Sequence, residues 1–312
     1  MPSSTPPHQP LAGIHVLSLA LNLPGPAALQ RCRRMGADCV KLEPPAPAGA
    51  ATADPMGRYS PPAYAALHEG VRVLQADLKQ AQGQALLQAE LARADVLLTS
   101  FRPSALARLG LDAAALAARH PRLSCITIVG APGPAAEVPG HDLTYLAESG
   151  LVPGLALPPT LYADMAGALM ASEAVLQALL RRAATGAGVH LEVALSDAAR
   201  HLAQPRDWGL TLPTGAVGGA HAGYGVYACA DGRVAVAALE PHFAAALCRA
   251  AGLPEQDMLS PGAREAIAGF LRRQTRAALE RLAREHDLPL HAMASGQSHL
   301  NPSETKALKQ PS

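Results

Sequence analysis

The sequence predicts an α/β protein with a parallel-sheet large domain followed by a smaller α+β domain. Short apolar strand-like runs alternate with helix-like segments through roughly the first 130 residues, as they do in sheets with crossover helices. The character of the chain changes after Pro205, where an Asp-Gly hairpin signal appears. A length of 312 residues also suits two domains better than one.

The first half of the chain contains five predicted strands, each a short apolar run. These runs cover residues 14–19, 39–42, 71–78, 95–98 and 125–129. Between them we expect three helices. The first follows a Pro/Gly break at 24–26 and ends at about Met35, the second covers about 80–92, and the third covers about 105–119. Parallel sheets bind ligands at the carboxyl ends of their strands, so the residues that follow these strands are the candidates for a site.

The second half begins with a long helix, predicted from about Asp164 to Ala184 and ended by a Gly186/Gly188 pair. Residues 224–239 are predicted as a hairpin around Asp231-Gly232, followed by helices at about 242–251 and 263–285. We therefore expect a large domain over residues 1–205, a small α+β domain over 206–293, and a polar tail over 294–312. A partial return of this tail to the large domain stays open.

The composition indicates a globular protein of enzyme size and excludes several partners. Hydrophobic residues make up 49% of the chain, and 26 Lys+Arg against 25 Asp+Glu give a net charge of +1, so nucleic acid is not an expected partner. The most apolar segment, 165–180, is interrupted by Glu173 and Gln177, so no membrane partner is expected. No metal-ligand spacing or nucleotide-binding glycine motif occurs, so no metal is expected. Five scattered cysteines and the lack of a targeting pattern predict a cytoplasmic location.

Two places in the large domain carry residues suited to acid/base chemistry. His141 and Asp142 follow the fifth strand, where a histidine can act as a general base near neutral pH. Asp142 could instead only cap the next helix. Asp164 precedes the long helix, where an N-cap role is the first interpretation, although free backbone N–H groups there could also hold an oxyanion. The residues alone leave these alternatives open.

Charged residues near other strand ends are further candidates. Glu240 follows the hairpin and precedes Pro241, a position where a carboxylate is usually only solvated. Several basic residues lie at or near strand ends and could together surround a phosphorylated ligand. They are Lys41, Arg72, Lys79, Arg102 and Arg108.

Short motifs follow one another in a specific order between Leu11 and Met293. They include Leu-Ala-Gly at 11–13, Gly-Pro at 25–26, Met-Gly-Ala at 35–37, Lys-Leu-Glu at 41–43, Phe-Arg-Pro at 101–103, Gly-His-Asp at 140–142, Ala-Asp at 163–164 and Leu-Glu-Pro-His-Phe at 239–243. This ordered set resembles the class III (CaiB/BaiF-type) CoA-transferase family, which includes α-methylacyl-CoA racemase, formyl-CoA transferase and carnitine CoA-transferase. The resemblance is strongest to the racemase branch.

The resemblance implies a Rossmann-like large domain and a small α+β domain, in a class III CoA-transferase fold shortened at its C-terminus. It implies an acyl-CoA thioester as substrate, with coenzyme A entering as part of that substrate and no cofactor bound permanently. Family members form homodimers whose subunits interlock. The resemblance therefore implies a homodimer. Whether its subunits interlock stays open, because this chain ends soon after Leu290.

Two chemistries occur in the family, and the Gly-His-Asp motif favours the racemase type. In that type the α-proton of a 2-methylacyl-CoA moves by 1,1-proton transfer, which implies that His141 and Asp164 act on opposite faces and that Glu240 orients the imidazole. The enolate oxygen is expected at the start of the Asp164 helix. In the transferases the aspartate matched by Asp164 attacks the thioester and forms a mixed anhydride. A third interpretation is a CoA-binding homologue that has lost catalysis.

The resemblance also implies a set of residues that contact CoA. Basic CoA-contacting positions are matched by Lys41 and Arg108. Positions near the nucleotide or the pantetheine are matched by Arg72, Phe101, Asp142 and Tyr145.

Overall fold

The computed structural model describes residues 9–255 and 257–295 and contains two β-sheets, one parallel and one antiparallel. The chain divides into two compact units between Ala203 and Gln204. The α/β fold class predicted from the sequence is confirmed, since the first unit holds a parallel sheet and the second a smaller antiparallel one. Most of the predicted polar tail, from residue 296 to 312, lies outside the described residues.

The sheet of the first unit has six parallel strands. They are β1 His15–Ser18, β2 Asp38–Glu43, β3 Arg72–Gln75, β4 Val96–Thr99, β5 Ser124–Val129 and β6 His190–Ala194. Their order is β3-β2-β1-β4-β5-β6, so the chain moves outward from β1 to β3 and then crosses back to place β4 beside β1. The carboxyl ends of β1 and β4 flank this switch point, where sheets of this type bind ligands.

Helices cover both faces of this sheet. They are α1 Pro24–Arg34, α2 Pro55–Tyr59, α3 Pro61–Leu67, α4 Ala81–Leu91, α5 Pro103–Arg108, α6 Ala113–Arg119, α7 Asp142–Glu148, α8 Tyr162–Thr185 and α9 Leu195–Asp207. Successive side chains of a strand point to opposite faces. Accordingly Val16 joins the core formed with α1 and α8, whereas Leu17 joins the core formed with α4 and α6.

The helix predictions for this unit were wrong in two places. Residues 24–26 are the first turn of α1 and not a break, because a proline is tolerated where the backbone N–H has no intrahelical acceptor. The helix predicted over 105–119 is two helices, since Gly110 adopts a φ of 65° between α5 and α6. The elements β6 and α9 were not predicted at all.

Helix α8 is 24 residues long and ends at Gly186, whose left-handed conformation (φ 77°) provides the predicted stop. By length and composition alone this helix could cross a membrane, even though Glu173 and Gln177 interrupt its apolar stretch. A core helix passes the same test. Small buried residues such as Ala171 and Ala178 pack α8 into the core that it shares with α1.

The second unit contains a three-stranded antiparallel sheet with three neighbouring helices among its described residues. These elements are β7 Tyr224–Cys229, β8 Gly232–Ala237, α10 Pro241–Ala251, α11 Pro261–Arg272, α12 Arg276–His286 and β9 Leu290–Ala294. The predicted hairpin turns at Ala230-Asp231, with Gly232 already in β8. The helix predicted over 263–285 is two helices, because Thr275 caps α12 by accepting the Ala278 N–H at 3.2 Å. Strand β9 was not predicted. Ala294, which was expected to begin the polar tail, belongs to this strand and therefore to the sheet.

Candidate active site

A cleft of about 160 Å³ opens at the carboxyl edge of the parallel sheet, beside the switch point. The loops that follow β1, β4 and β5 supply most of its walls, and the first turns of α8 and α9 complete it. Its polar lining residues are Asn22, Ser100, Arg102, His141, Tyr145 and Asp164. His141 and Asp164, the two residues expected to move the proton, therefore line one cavity, whereas Asp142 does not.

His141 enters the cleft from the N-terminus of α7. It is the N-cap residue of that helix, and its backbone N–H donates to the Thr144 hydroxyl at 3.1 Å. A short 3₁₀ helix, Gly133–Glu137, separates it from β5. Both the backbone N–H and the hydroxyl of Ser104 donate to Glu137, at 2.7 and 2.9 Å, which ties this 3₁₀ helix to α5. His141 is exposed, so its imidazole is accessible to a ligand in the cleft.

Asp164 is the third residue of α8 and not its N-cap, which is Leu161. The N-cap interpretation of Asp164 was therefore wrong, and its carboxyl is available to the cleft. Burial, and secondarily the negative charge of Asp142, raises the pKa of Asp164 from 3.8 to about 7. A carboxyl with such a pKa is present in both protonation states at neutral pH.

Asp142 acts on the neighbouring helix. It is the first residue of α7, is only 4% exposed, and its Oδ1 accepts the backbone N–H of Asp164 at 3.0 Å. Asp142 thus caps α8 and not α7. The alternative that Asp142 only caps the helix that follows it was wrong. This bond also occupies one of the N–H groups at the start of α8 that had been expected to hold the enolate oxygen.

Tyr145 closes one side of the cleft with a ring that is 6% exposed. A Cβ atom on Gly130 or Gly140 would lie 2.3 or 2.5 Å from its hydroxyl oxygen, so both positions have room only for glycine. Burial, followed by the charge of Asp164, raises the pKa of Tyr145 above its usual value. The phenol therefore stays protonated at neutral pH and can donate a hydrogen bond.

Of the residues matched to CoA contacts, Phe101 and Tyr145 line the cleft, and Asp142 supports it from behind. Arg102, one of the basic residues singled out near strand ends, also lines the cleft, although the family resemblance did not match it to a CoA contact. It is the N-cap of α5 in the short connection after β4, which is the strand-end position that made it a candidate. Arg102 supplies a guanidinium suited to an anionic or carbonyl oxygen.

The structure does not bring Lys41 into the cleft. Its side chain is 0% exposed, and its Nζ contacts Asp54, the Glu43 carboxylate at 3.3 Å and the Nε2 of His68 at 3.0 Å. Burial and the Lys41 charge lower the pKa of His68, which keeps that imidazole neutral. An ammonium enclosed by two carboxylates is not available to a phosphate, so the expected CoA contact of Lys41 is corrected to a structural ion pair.

The remaining predicted residues also lie away from the cleft. Arg72 begins β3, at the amino edge of the sheet, and pairs with Glu90 at 3.0 Å. Arg108 is the exposed last residue of α5 and does not line the cleft. Glu240 belongs to the second unit, where it is the exposed N-cap of α10. No group of three or more potential metal ligands occurs among the described residues.

A model of CoA-transferase family III matches residues 11–309. The chain belongs to this family. The α-methylacyl-CoA racemase of Mus musculus is 30% identical over 268 residues, which cover 80% of this chain and 67% of the racemase. The succinate–glutarate CoA-transferase of Agrobacterium fabrum is 32% identical over 219 residues, which cover 63% of this chain and 53% of the transferase. Family members thus include racemases and CoA-transferases that act on acyl-CoA thioesters.

The fold of the family is also seen in a solved relative. A CaiB/BaiF family protein from Brucella suis matches with a TM-score of 0.74 and 24% identity, over 96% of this chain and 86% of that one. At this identity the likeness shows the fold alone. Because the chain spans about half the length of the matched transferase, the activity of such an enzyme does not transfer to it directly.

Proposed function

We propose that this chain inverts the α-carbon of 2-methylacyl-CoA thioesters by a 1,1-proton transfer. The observation that carries the proposal is that His141 and Asp164 line one cleft and that the pKa of Asp164 is raised to about 7. Inversion needs two groups that can each give and take a proton, because the reaction must run in both directions. A histidine and a carboxyl with a near-neutral pKa meet this requirement.

In one direction His141 removes the α-proton, and the electron pair of the C–H bond moves onto the thioester oxygen as an enolate. Protonated Asp164 gives its proton to the other face of the α-carbon, and the enolate electrons form the new C–H bond. The product differs from the substrate only in configuration. His141 is then protonated and Asp164 ionised, which is the state that catalyses the reverse reaction. The further role of Glu240, orienting the imidazole, rests on the sequence resemblance alone.

CoA transfer through Asp164 is the second candidate, supported by the likeness to the succinate–glutarate enzyme. In that reaction an ionised Asp164 attacks the thioester carbonyl, the CoA thiolate leaves, and a mixed anhydride remains for an acceptor carboxylate. A pKa of about 7 reduces the ionised fraction of Asp164 at neutral pH. This favours proton transfer over nucleophilic attack, so the transferase ranks second.

The two candidates are separated by incubating a 2-methylacyl-CoA with the protein in D₂O and following its mass. Isomerisation predicts deuterium at the α-carbon without any acceptor acid, and Asp164→Asn is expected to slow inversion by at least about 100-fold. Asp197→Asn is the matched control, because Asp197 is the third residue of α9, as Asp164 is of α8, but does not line the cleft. No exchange, together with a hydroxylamine-trappable acyl group on Asp164, would replace the isomerase by the transferase. Binding of CoA with neither reaction would support the homologue that has lost catalysis.

A further inference from the structure

Asn22 has an unusual backbone conformation for a residue with a side chain. Its φ is 65°, and of the described residues only Asp287 shares a positive φ without being glycine. Asparagine tolerates this left-handed conformation better than most residues, although glycine adopts it more easily still. Asn22 therefore places a carboxamide at a position where the backbone conformation alone would favour glycine.

A buried charge cluster holds Asn22 in this conformation. The backbone N–H of Asn22 donates to Oδ1 of Asp54 at 3.1 Å, and the other oxygen of that carboxylate pairs with Lys41. Asp54 is 1% exposed and also accepts the N–H of Met56 at 2.9 Å. The preceding N–H, that of Leu21, donates to the Ser100 hydroxyl at 3.3 Å. The backbone N–H groups of Leu21 and Asn22, in the loop after β1, are thus both occupied by neighbouring side chains.

The carboxamide of Asn22 has no such support. Asn22 lines the same cleft as His141 and Asp164, and its side chain makes no hydrogen bond to any of the residues that the structure describes. A carboxamide offers two N–H donors and one acceptor oxygen. Polar groups that become enclosed when a ligand fills a cleft need a partner, which here must come from the ligand.

We propose that Asn22 is a substrate-binding residue whose carboxamide donates a hydrogen bond to a carbonyl oxygen of the bound acyl-CoA. This inference rests on the proposed acyl-CoA function. Carbonyl oxygens occur in the thioester and in the two pantetheine amides of such a ligand, and both sources present the same acceptor. The Lys41–Asp54 pair acts through the backbone of Asn22 and positions it, without touching the ligand.

The test uses Asn22→Gly, which keeps the left-handed backbone accessible and removes only the carboxamide. Two probes are titrated by calorimetry into the wild type and the variant. One is the ketone analogue of acetyl-CoA in which a methylene replaces the sulfur, and the other is S-ethyl-CoA, which lacks the thioester carbonyl. Asp287→Gly is the matched control, because it also replaces a residue with positive φ by glycine but lies in the second unit. Thermal unfolding establishes that both variants fold.

Loss of one hydrogen bond predicts a Kd about tenfold higher for Asn22→Gly and an unchanged Kd for Asp287→Gly. Weakening of the ketone analogue alone would place the bond at the thioester carbonyl, and equal weakening of both probes would place it at the pantetheine. Equal affinity of the wild type and Asn22→Gly for both probes would overturn the inference. This outcome leaves the proposed isomerisation standing, whereas binding of neither probe by the wild type would overturn both.

Discussion

Replacing Asp142 with asparagine removes a charge beside Asp164 while keeping the oxygen that accepts its N–H. The substitution preserves the shape of a side chain that is 4% exposed and bonded at 3.0 Å. Without the neighbouring negative charge, ionisation of Asp164 becomes less unfavourable. The pKa of Asp164 is therefore expected to fall from about 7 toward 3.8.

The size of this fall is limited from two sides. Burial is the larger cause of the raised pKa, so the charge of Asp142 accounts for less than half of the difference between 3.8 and about 7, which is at most about 1.6 pH units. For two unit charges at about 6 Å, the outer end of the range over which a neighbouring charge shifts a pKa, Coulomb's law gives about 0.7 kcal/mol in a water-like medium. At an effective dielectric constant of about 20 it gives about 2.8 kcal/mol, so the two media bracket a shift of roughly 0.5 to 2 pH units. A fall of about 0.5 to 1.6 pH units satisfies both limits.

The assay is ¹³C NMR of protein labelled at the aspartate carboxyl carbons, titrated from pH 4 to 9. The Asp164 resonance is assigned by its loss in Asp164→Asn, and the Asp197 carboxyl on α9 serves as the internal reference. The pH dependence of deuterium exchange is expected to move in the same direction as the carboxyl titration. An Asp164 midpoint that stays unchanged or rises in Asp142→Asn would refute the electrostatic coupling between the two carboxyls.

Three further substitutions test the energetics of the first unit. Between pH 3.8 and about 7 the folded protein keeps a proton on Asp164 that the unfolded chain has released, so the wild type loses stability as pH rises through this range. Asp164→Asn removes this ionisation and should raise the free energy of unfolding by up to about 4 kcal/mol at pH 8. At pH 3.5 urea denaturation should show no such difference between the two proteins. Gly140→Ala places a Cβ 2.5 Å from the Tyr145 hydroxyl and should cost about 1–3 kcal/mol; an unchanged melting temperature would mean that the ring is free to move. Lys41→Met leaves two buried carboxylates without their ammonium partner and should cost about 3–5 kcal/mol. Arg200→Met, which breaks an exposed ion pair with Asp197, should cost at most about 1 kcal/mol, and equal losses would contradict the buried ion pair.

The sequence predicted the parallel sheet well because its central strands are continuous apolar runs. Strands β4 and β5 are buried along their whole length and stand out for that reason. Strand β6 lies at the edge of the sheet and is half exposed, so its pattern is weaker. The paired residues of β8 and β9 are more than 50 residues apart in the sequence, and no local sequence pattern predicts such a pairing. Gly110 separates α5 from α6 because its φ is positive, and the spacing of apolar residues does not predict this break.

The candidate site was predictable where it depends on strand ends and not where it depends on tertiary contacts. His141 follows a strand and Asp164 begins a long helix, so both positions were visible in the sequence. The bond from Asp142 to the Asp164 backbone spans 22 residues and requires α7 and α8 to meet. The burial of Lys41 was equally hidden, because lysines are rarely buried and its partner Asp54 lies 13 residues further along the chain, just before α2.

The most direct test of the central claim is to follow the separate (2R) and (2S) enantiomers of a 2-methylacyl-CoA in D₂O. The wild type is expected to exchange the α-proton of both enantiomers and to interconvert them. If His141 and Asp164 serve opposite faces, His141→Ala and Asp164→Asn should both abolish interconversion, and each variant should retain exchange from only one enantiomer, the opposite one in each case. Retention of interconversion by either variant, or loss of exchange from the same enantiomer in both, would contradict the two-base mechanism.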